Sequence, residues 1–141
     1  MRLAQIKGML HKDRILALLS YCQYKPTEET LNMQADKYEA DENVHALACT
    51  DGNAITGILI LKRQHDDSFE ILGIAVDPIF RSRGTGKMMI AQASALLSCS
   101  ALYAETDGDA VEFYRKCGFE IQSLGEKYPG VIRYACRWKK E

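Results

Sequence analysis

Short apolar runs separated by polar turns occupy the middle of the chain and predict three neighbouring strands. The runs cover residues 44–49, 54–61 and 69–76 and are rich in aliphatic and β-branched side chains. Asp51-Gly52 between the first two runs is typical of a hairpin turn, and residues 62–67 form a second polar turn. Three strands joined by short turns predict an antiparallel meander.

Elsewhere the apolar positions recur three or four residues apart, which is the spacing of a helix face. Thr27 is a candidate N-cap, and Gly118 is a candidate helix stop. Four helices are expected, at about residues 15–22, 27–39, 88–98 and 110–116. The second has the weakest apolar stripe and is expected at the surface.

Further short strands are expected at residues 3–6, 101–105, 119–124 and 131–138, which gives the element order β-α-α-β-β-β-α-β-α-β-β. A strand–loop–helix–strand unit is a right-handed crossover, so 101–105 should run parallel to the strand ending at Val76. The predicted fold class is α/β with a mixed sheet, an antiparallel meander followed by a β-α-β crossover, and helices on both faces. The length favours a single domain over residues 1–141.

Charge and cysteine usage narrow the class of protein. The 18 Lys and Arg nearly balance the 19 Asp and Glu, which gives no reason to expect nucleic acid or an anionic membrane as a partner. The five cysteines show no C-x-x-C pair, so buried free thiols are expected and no metal site is. With no signal peptide or membrane span in the pattern, a cytoplasmic location is expected.

The chain's most distinctive stretch is Ile71–Lys87, where an apolar strand expected to be covered on both faces stops at Pro78 and opens into a basic glycine loop. Backbone amides at such a loop and the following helix N-terminus favour an anion. Spacing excludes a P-loop, because Arg81 stands where its first glycine belongs. A dinucleotide fingerprint fails because Met89 replaces its third glycine. The glycine pair alone could also be a simple tight turn.

A second block, Phe113-Tyr114-Arg115-Lys116-Cys117-Gly118-Phe119, follows the loop, the helix and a short strand. Together the two blocks resemble the GNAT family of acyl-CoA-dependent N-acyltransferases. The first is similar to its R/Q-x-x-G-x-G/A pyrophosphate loop, and the second to its A-x-x-F-Y-x-x-x-G-F motif, with Ala110 in place. The element order resembles the family fold over nearly the whole chain.

The resemblance implies acetyl-CoA as co-substrate and assigns the residues that bind it. The loop would hold the pyrophosphate, and the backbone of the preceding strand would pair with the pantetheine arm, since the family's sheet splays open there. Asp107 stands where many family members have an asparagine, so it keeps the acceptor but lacks the amide donor. The cofactor-binding residues so implied are Ile74, Ala75, Val76, Arg81, Ser82, Arg83, Gly84, Thr85, Gly86, Lys87 and Asp107.

The resemblance also implies two catalytic residues. Tyr114 would protonate the leaving thiolate, and a phenol with a pKa of ~10 is protonated at neutral pH. Amphipathic packing beside Phe113 is the alternative interpretation of this tyrosine. Glu70 is placed like the glutamate that some family members use as a base; His65, Asp66, Asp67 or water alone remain alternatives.

The expected function is transfer of an acetyl group from acetyl-CoA to a primary amine by direct attack in a ternary complex. A non-catalytic acyl-CoA-binding or regulatory module is the alternative. The acidic segment 26–42, where the family builds its acceptor lid, weakly favours a cationic small-molecule or peptide amine. The closing strands offer an edge to a second copy, so a homodimer remains open.

Overall fold

The computed structural model of the protein describes residues 2–81 and 83–140. Within these described residues, four helices and seven strands follow one another in the predicted order. The strands are β1 (Arg2–Gln5), β2 (Val44–Asp51), β3 (Ala54–Arg63), β4 (Ser68–Val76), β5 (Ala101–Asp107), β6 (Glu120–Tyr128) and β7 (Val131–Lys139). The helices are α1 (Asp13–Leu19), α2 (Glu28–Ala40), α3 (Thr85–Leu96) and α4 (Val111–Lys116), with 3₁₀ turns at Ser20–Cys22 and Pro78–Phe80. Among the described residues no helix is both long and apolar enough to cross a membrane.

The strands form one mixed sheet in the order β1-β2-β3-β4-β5-β7-β6. β1 to β4 pair antiparallel, and β4 pairs parallel with β5, as the crossover requires. The predicted meander, crossover and mixed sheet are therefore confirmed.

Alternation along β2 and β3 divides the core into two layers. On one face, Leu47, Leu59 and Leu61 pack with the apolar residues of α3 and α4. On the other, Ile58 and Ile60 pack with α1 and α2. Because successive strand residues point to opposite faces, one pair of strands serves both layers, and helices lie on both faces as predicted.

β4 and β5 pair over only three positions, and this short pairing creates the site. Ser68, Phe69 and Glu70 match residues 101–103, after which both strands continue without pairing to each other. A β-bulge at Leu72, which has no partner in β3, bends β4 just beyond the last pair. The sheet therefore splays open between the two strands.

The structure departs from the predicted pattern in three places. The second half of β4 is not covered on both faces, since Leu72, Gly73 and Ile74 are half-exposed where the sheet splays. α3 begins at Thr85 rather than Met88, because its first turn is formed by residues without an apolar stripe. β6 extends to Tyr128, where two register irregularities interrupt the alternation that marks a strand.

Candidate active site

A cleft of about 860 Å³ lies between the diverging strands. One wall is the second half of β4, and the other is the end of β5 with α4. The basic loop and the start of α3 close one end, and the 3₁₀ turn after α1 contributes Tyr21 and Cys22. The two sequence blocks that resemble family motifs thus meet in one cavity.

The backbone of β4 offers unpaired polar groups to the cleft. The Asp77 N–H donates to the Thr56 carbonyl at 2.8 Å, so Asp77 is in a hydrogen-bonded position opposite β3. Because such positions alternate, the N–H and C=O of Ala75 also point to β3, and those of Ile74 and Val76 point to the side where β5 has separated. Of the three predicted cofactor residues on β4, Ile74 and Val76 therefore direct their backbone groups to the cleft, whereas the backbone groups of Ala75 point to β3.

The loop between β4 and α3 has the expected helix-start geometry. Gly84 is the N-cap in a left-handed conformation (φ +74°), which glycine adopts without strain. Thr85 is buried, and Arg83 and Lys87 are exposed on either side of the helix start. Since no residue of the first turn is acidic, the free N–H groups and positive end of α3 remain available to an anion. Ser82 lies outside the described residues.

Arg81 is tied to the neighbouring elements. Its Nε donates to the Val76 carbonyl at 2.9 Å, and its guanidinium lies over the Tyr21 ring, 5.0 Å from the centroid. Arg81 therefore links the loop to β4 and to the turn after α1. Of the two backbone groups that Val76 presents to the cleft, the N–H is the one left for a ligand.

Gly86 permits close packing between α3 and α4. A Cβ at this position would lie 2.8 Å from Cε1 of Phe113, closer than carbon atoms approach in packed proteins. The second glycine of the loop is therefore required by a side chain from the second motif. The first block therefore packs directly against the second.

Tyr114 lies in the cleft wall with only 5% of its surface exposed. Its ring packs edge-to-face between Phe113 and Phe119, with centroids 5.2 and 5.3 Å away. Burial raises its pKa well above the ordinary phenol value, with smaller contributions from neighbouring thiols. Its hydroxyl has no hydrogen-bond partner among the described residues, so a protonated donor is available to a ligand in the cleft.

Asp107 also lines the cleft, at the end of β5. Its Oδ1 accepts hydrogen bonds from the backbone N–H of Asp109 at 3.0 Å and of Ala110 at 3.2 Å. The carboxylate thereby organises the turn that leads into α4, the structural role expected of an Asp at this position.

Glu70 is at the last paired position before the strands part, opposite Tyr103. Its Oε1 accepts a 3.3 Å hydrogen bond from Gln64, and its side chain is absent from the cleft lining. The turn with His65, Asp66 and Asp67 also contributes nothing to that lining. The structure therefore brings Tyr114 and the β4 backbone together in the cleft. The predicted base, Glu70, lies outside the cleft lining, at the point where β4 and β5 separate.

Sequence reasoning missed an ionic group at the β5–β7 side of the cleft. Glu105 and Arg133 line the cavity, and Glu105 bonds Lys127 at 2.9 Å. The hydrogen bond from Lys127 is the main reason that the pKa of Glu105 is lowered. Strand pairing brings these residues together, since Glu105 and Arg133 lie 28 positions apart. No local motif could have indicated them.

Cys22 was expected to be a buried thiol and instead lines the cleft. The residue is largely exposed, but its Sγ points at β4, 3.1 Å from where a Gly73 Cβ would lie. Desolvation raises the pKa of this thiol to about 11, partly offset by the Ile74 backbone amide that faces it. A thiol with so high a pKa is protonated at neutral pH and is a weak nucleophile.

The acidic segment does not face the cleft, which weakens the argument for a cationic acceptor. Asp36 contacts His11 at 2.7 Å, and Asp41 pairs with Lys62 at 3.0 Å. Glu39 accepts the backbone N–H groups of Gly8 and Leu10. None of these carboxylates lines the cavity, so they bind neighbouring segments of the protein. Within residues 2–81 and 83–140, no three His, Cys, Asp or Glu side chains cluster as metal ligands would.

Comparison with known proteins agrees with this geometry. The family model of the acetyltransferase (GNAT) domain matches residues 41–121. The peptidyl-lysine N-acetyltransferase YjaB of Salmonella typhimurium is 32% identical over 90 residues, 59% of each chain. The uncharacterized protein ML0378 of Mycobacterium leprae is 35% identical over 75 residues, 51% of this chain and 21% of that protein. The matches thus span less than two thirds of these curated relatives.

Solved structures show the same fold. An aminoglycoside 6'-N-acetyltransferase complexed with coenzyme A superposes with a TM-score of 0.82 over 99% of this chain and 97% of that one, at 14% identity. A putative streptothricin acetyltransferase from Bacillus anthracis, in complex with acetyl coenzyme A, gives 0.64 at 26% identity over 75% and 68% of the two chains. Because the family model matches more than half of the chain and includes β4, the basic loop and α4, the protein belongs to the GNAT acetyltransferase family.

Proposed function

We propose that the protein is an N-acetyltransferase that moves the acetyl group of acetyl-CoA to a primary amine in a ternary complex. The observation that carries the proposal is the cleft at the splayed strands. Unpaired β4 backbone, the basic helix start and the Tyr114 wall all open into this one cavity. Together these features match the pantetheine arm, the pyrophosphate and the thioester of acetyl-CoA. A single one of them would not be enough to support the proposal.

The cofactor's pyrophosphate binds over the amides from Arg81 to Lys87. Gly84 leaves the backbone open to close approach, and the N-terminus of α3 and the cations Arg83 and Lys87 complement the negative charge. The pantetheine arm pairs with the backbone of Ile74 and Val76. Main-chain pairing of this kind extends a sheet by one strand and does not depend on side-chain identity.

In the reaction, the neutral amine attacks the thioester carbonyl directly. A C–N bond forms, the carbonyl oxygen takes the negative charge, and backbone N–H from the Ile74–Val76 segment stabilises it. The C–S bond then breaks, and the leaving thiolate accepts a hydrogen bond and a proton from Tyr114. The attacking nitrogen loses one proton to a base, and Tyr114 regains one from solvent, so the products are the amide and the free thiol. No cysteine nucleophile takes part.

The base that removes the amine proton is proposed to be Glu70, acting through water. Its position at the fork between β4 and β5 supports this role, and the Gln64 contact holds its carboxylate. Water alone is the alternative. The cleft acids are less suited, because the Lys127 hydrogen bond lowers the pKa of Glu105 and makes it a weaker base, and Asp107 is occupied by two backbone amides.

We also propose that residues 1–141 act as one domain on a small-molecule or peptide amine. A cytoplasmic location is supported by the thiols of Cys22, Cys99, Cys117 and Cys136, which form no disulfide with one another. A homodimer through the closing strands stays a prediction.

Thiol release from acetyl-CoA across a panel of primary amines tests the proposal. Amine-dependent release is expected, with Tyr114→Phe and Glu70→Gln both slower than the parent. Tight coenzyme A binding without thiol release from any amine would instead support a non-catalytic acyl-CoA-binding module. If Glu70→Gln keeps the parental rate across pH, water replaces Glu70 as the base.

A further inference from the structure

We propose that Arg133 is a specificity-determining residue that binds a carboxylate on the acceptor, so that the acceptor is an amine carrying an acid group. The inference rests on the proposed function and names the acceptor class for the same cleft. It narrows the cationic amine that the acidic segment suggested to one that also carries a carboxylate.

Arg133 stands at the cleft with much of its hydrogen-bonding capacity unused. Its side chain is 26% exposed, and its neighbour in the register is Asp107 at the end of β5. Nε lies 3.5 Å from a Glu105 carboxylate oxygen, and Nη2 donates to the Glu105 carbonyl at 3.4 Å. Both contacts are long, and Nη1 has no partner among the described residues.

Glu105 does not neutralise Arg133 by itself. Its Oε1 is bound by Lys127 at 2.9 Å, so one carboxylate is shared by two cations. Asp107, the other acid in this part of the cleft, is turned to the amides of Asp109 and Ala110. The two carboxylates balance the charges of Arg133 and Lys127, but neither gives Arg133 a short, aligned hydrogen bond, so its guanidinium can bind a further carboxylate in a half-buried position where screening by solvent is reduced.

Arg133 points to the face of the sheet opposite α3, whose N-terminus follows the coenzyme loop. Tyr134 and Cys136 pack with the core under α3 and α4, so alternation directs Arg133 to the opposite face. On that face α1 and α2 pack against β2, β3 and β4. Gln122 and Arg137, on β6 and β7, are exposed there. An acceptor can therefore approach past Arg133 without crossing the pyrophosphate site.

A guanidinium in this setting recognises a carboxylate specifically. Its planar fork can donate two parallel hydrogen bonds to the two carboxylate oxygens, a geometry that a lysine ammonium lacks. The Glu105 contacts hold the guanidinium in place, which makes Glu105 a positioning residue. Asp36, Glu39 and Asp41 of the acidic segment are bound to other segments, and no residue of 26–42 lines the cleft, so this segment does not form a polyamine site there.

The test uses amine pairs that differ only in one carboxylate: lysine with cadaverine, and ornithine with putrescine. The parent is expected to prefer each amino acid over its decarboxylated partner by about 10- to 100-fold in kcat/KM, the size of one charged hydrogen-bonded pair. Arg133→Gln should erase this preference through KM, and Arg133→Lys should restore part of it. Arg137→Gln is the matched control, because Arg137 lies on the same strand and face and bonds Gln122 outside the cleft.

A binding measurement keeps the inference testable even if no turnover is found. Calorimetry on the coenzyme A-saturated protein compares Nε-acetyl-lysine with N-acetylcadaverine. Tighter binding of the acid, lost in Arg133→Gln with coenzyme A affinity unchanged, supports the inference. Equal binding of both, no binding of either, or an equal loss in Arg137→Gln overturns it. Absence of thiol release from every amine contradicts the enzyme proposal separately.

Discussion

Tyr114 combines two properties that a donor to a leaving thiolate needs. Its ring is fixed by two aromatic neighbours, and its hydroxyl has no hydrogen-bond partner among the described residues. Because burial disfavours the phenolate, the raised pKa keeps the hydroxyl protonated well into the alkaline range. The residue is thus pre-positioned as a neutral donor, and its hydroxyl contributes no internal bond to the fold.

The first prediction concerns Tyr114→Phe. We expect kcat to fall about 100-fold or more, at the lower end of the range for general acids, with acetyl-CoA KM and thermal stability nearly unchanged. The parent's kcat should not fall between pH 8 and ~10, since deprotonation is shifted above the ordinary phenol pKa of ~10. Stopped assays of thiol release across pH measure both. An alkaline decline that disappears in Tyr114→Phe and has its midpoint below pH ~10 would contradict the raised pKa.

The second prediction concerns the contact between the two motifs. Gly86→Ala places a Cβ against the Phe113 ring and should lower the free energy of unfolding by about 1–3 kcal/mol, the usual cost of overpacking. Gly108→Ala is the control, because a Cβ there meets nothing within 4 Å. Chemical denaturation measures both variants. Adding Phe113→Leu to Gly86→Ala should recover stability; no recovery would show that the clash lies elsewhere.

At the scale of elements, the β4–loop–α3 unit is held by Asp77. Its Oδ1 accepts the Ile79 N–H at 2.9 Å and starts the 3₁₀ turn, and its Oδ2 binds Arg14 of α1 at 2.6 Å. These contacts, the Ile79 bond foremost, lower its pKa. One carboxylate therefore fixes where the strand ends and ties the loop to the helix layer on the other face.

The third prediction is that Asp77→Asn loosens this unit. We expect weaker coenzyme A binding by calorimetry and a lower Tm at pH 7. Asp36→Asn, which alters only the exposed pair with His11, should change neither. Since the folded pKa of Asp77 is depressed, its stabilisation is present above the unfolded value of ~3.9 and disappears as pH falls through the folded value. The Tm difference between parent and Asp77→Asn should therefore shrink on acidification, and a constant difference would contradict this role.

Across the whole molecule, the sequence predicted an element correctly wherever its apolar positions followed either the helix or the strand periodicity. The meander, all four helices and the crossover followed from spacing, because each element's burial is decided by its own apolar face. The resemblance places Gly84, Gly86 and Tyr114 in motifs, and all three line one cleft, but their roles stay predictions. The close approach of Gly86 to the Phe113 ring shows that residues of the two motifs are in contact.

What the sequence could not indicate are groups assembled by distant elements. Arg133 meets Glu105 through β5–β7 pairing, and Cys22 reaches β4 through the turn after α1. The acidic segment 26–42 suggested an acceptor surface, but it lies outside the cleft lining, and Asp36, Glu39 and Asp41 bind other segments. Local charge counts carry no information on which partner neutralises a side chain. The acceptor half of the cleft is accordingly where sequence reasoning was weakest.

The central claim is that the cleft transfers acetyl directly from coenzyme A to an amine, and a single-turnover experiment with mass spectrometry tests it most directly. The protein is mixed with equimolar acetyl-CoA, with and without amine, and thiol, amide and protein mass are followed together. Direct transfer predicts no thiol release and no protein acetylation without amine, and equal amounts of free thiol and amide with it. Thiol release without amine, accompanied by a protein mass increase of one acetyl group on Cys22 or Cys117, would contradict direct transfer.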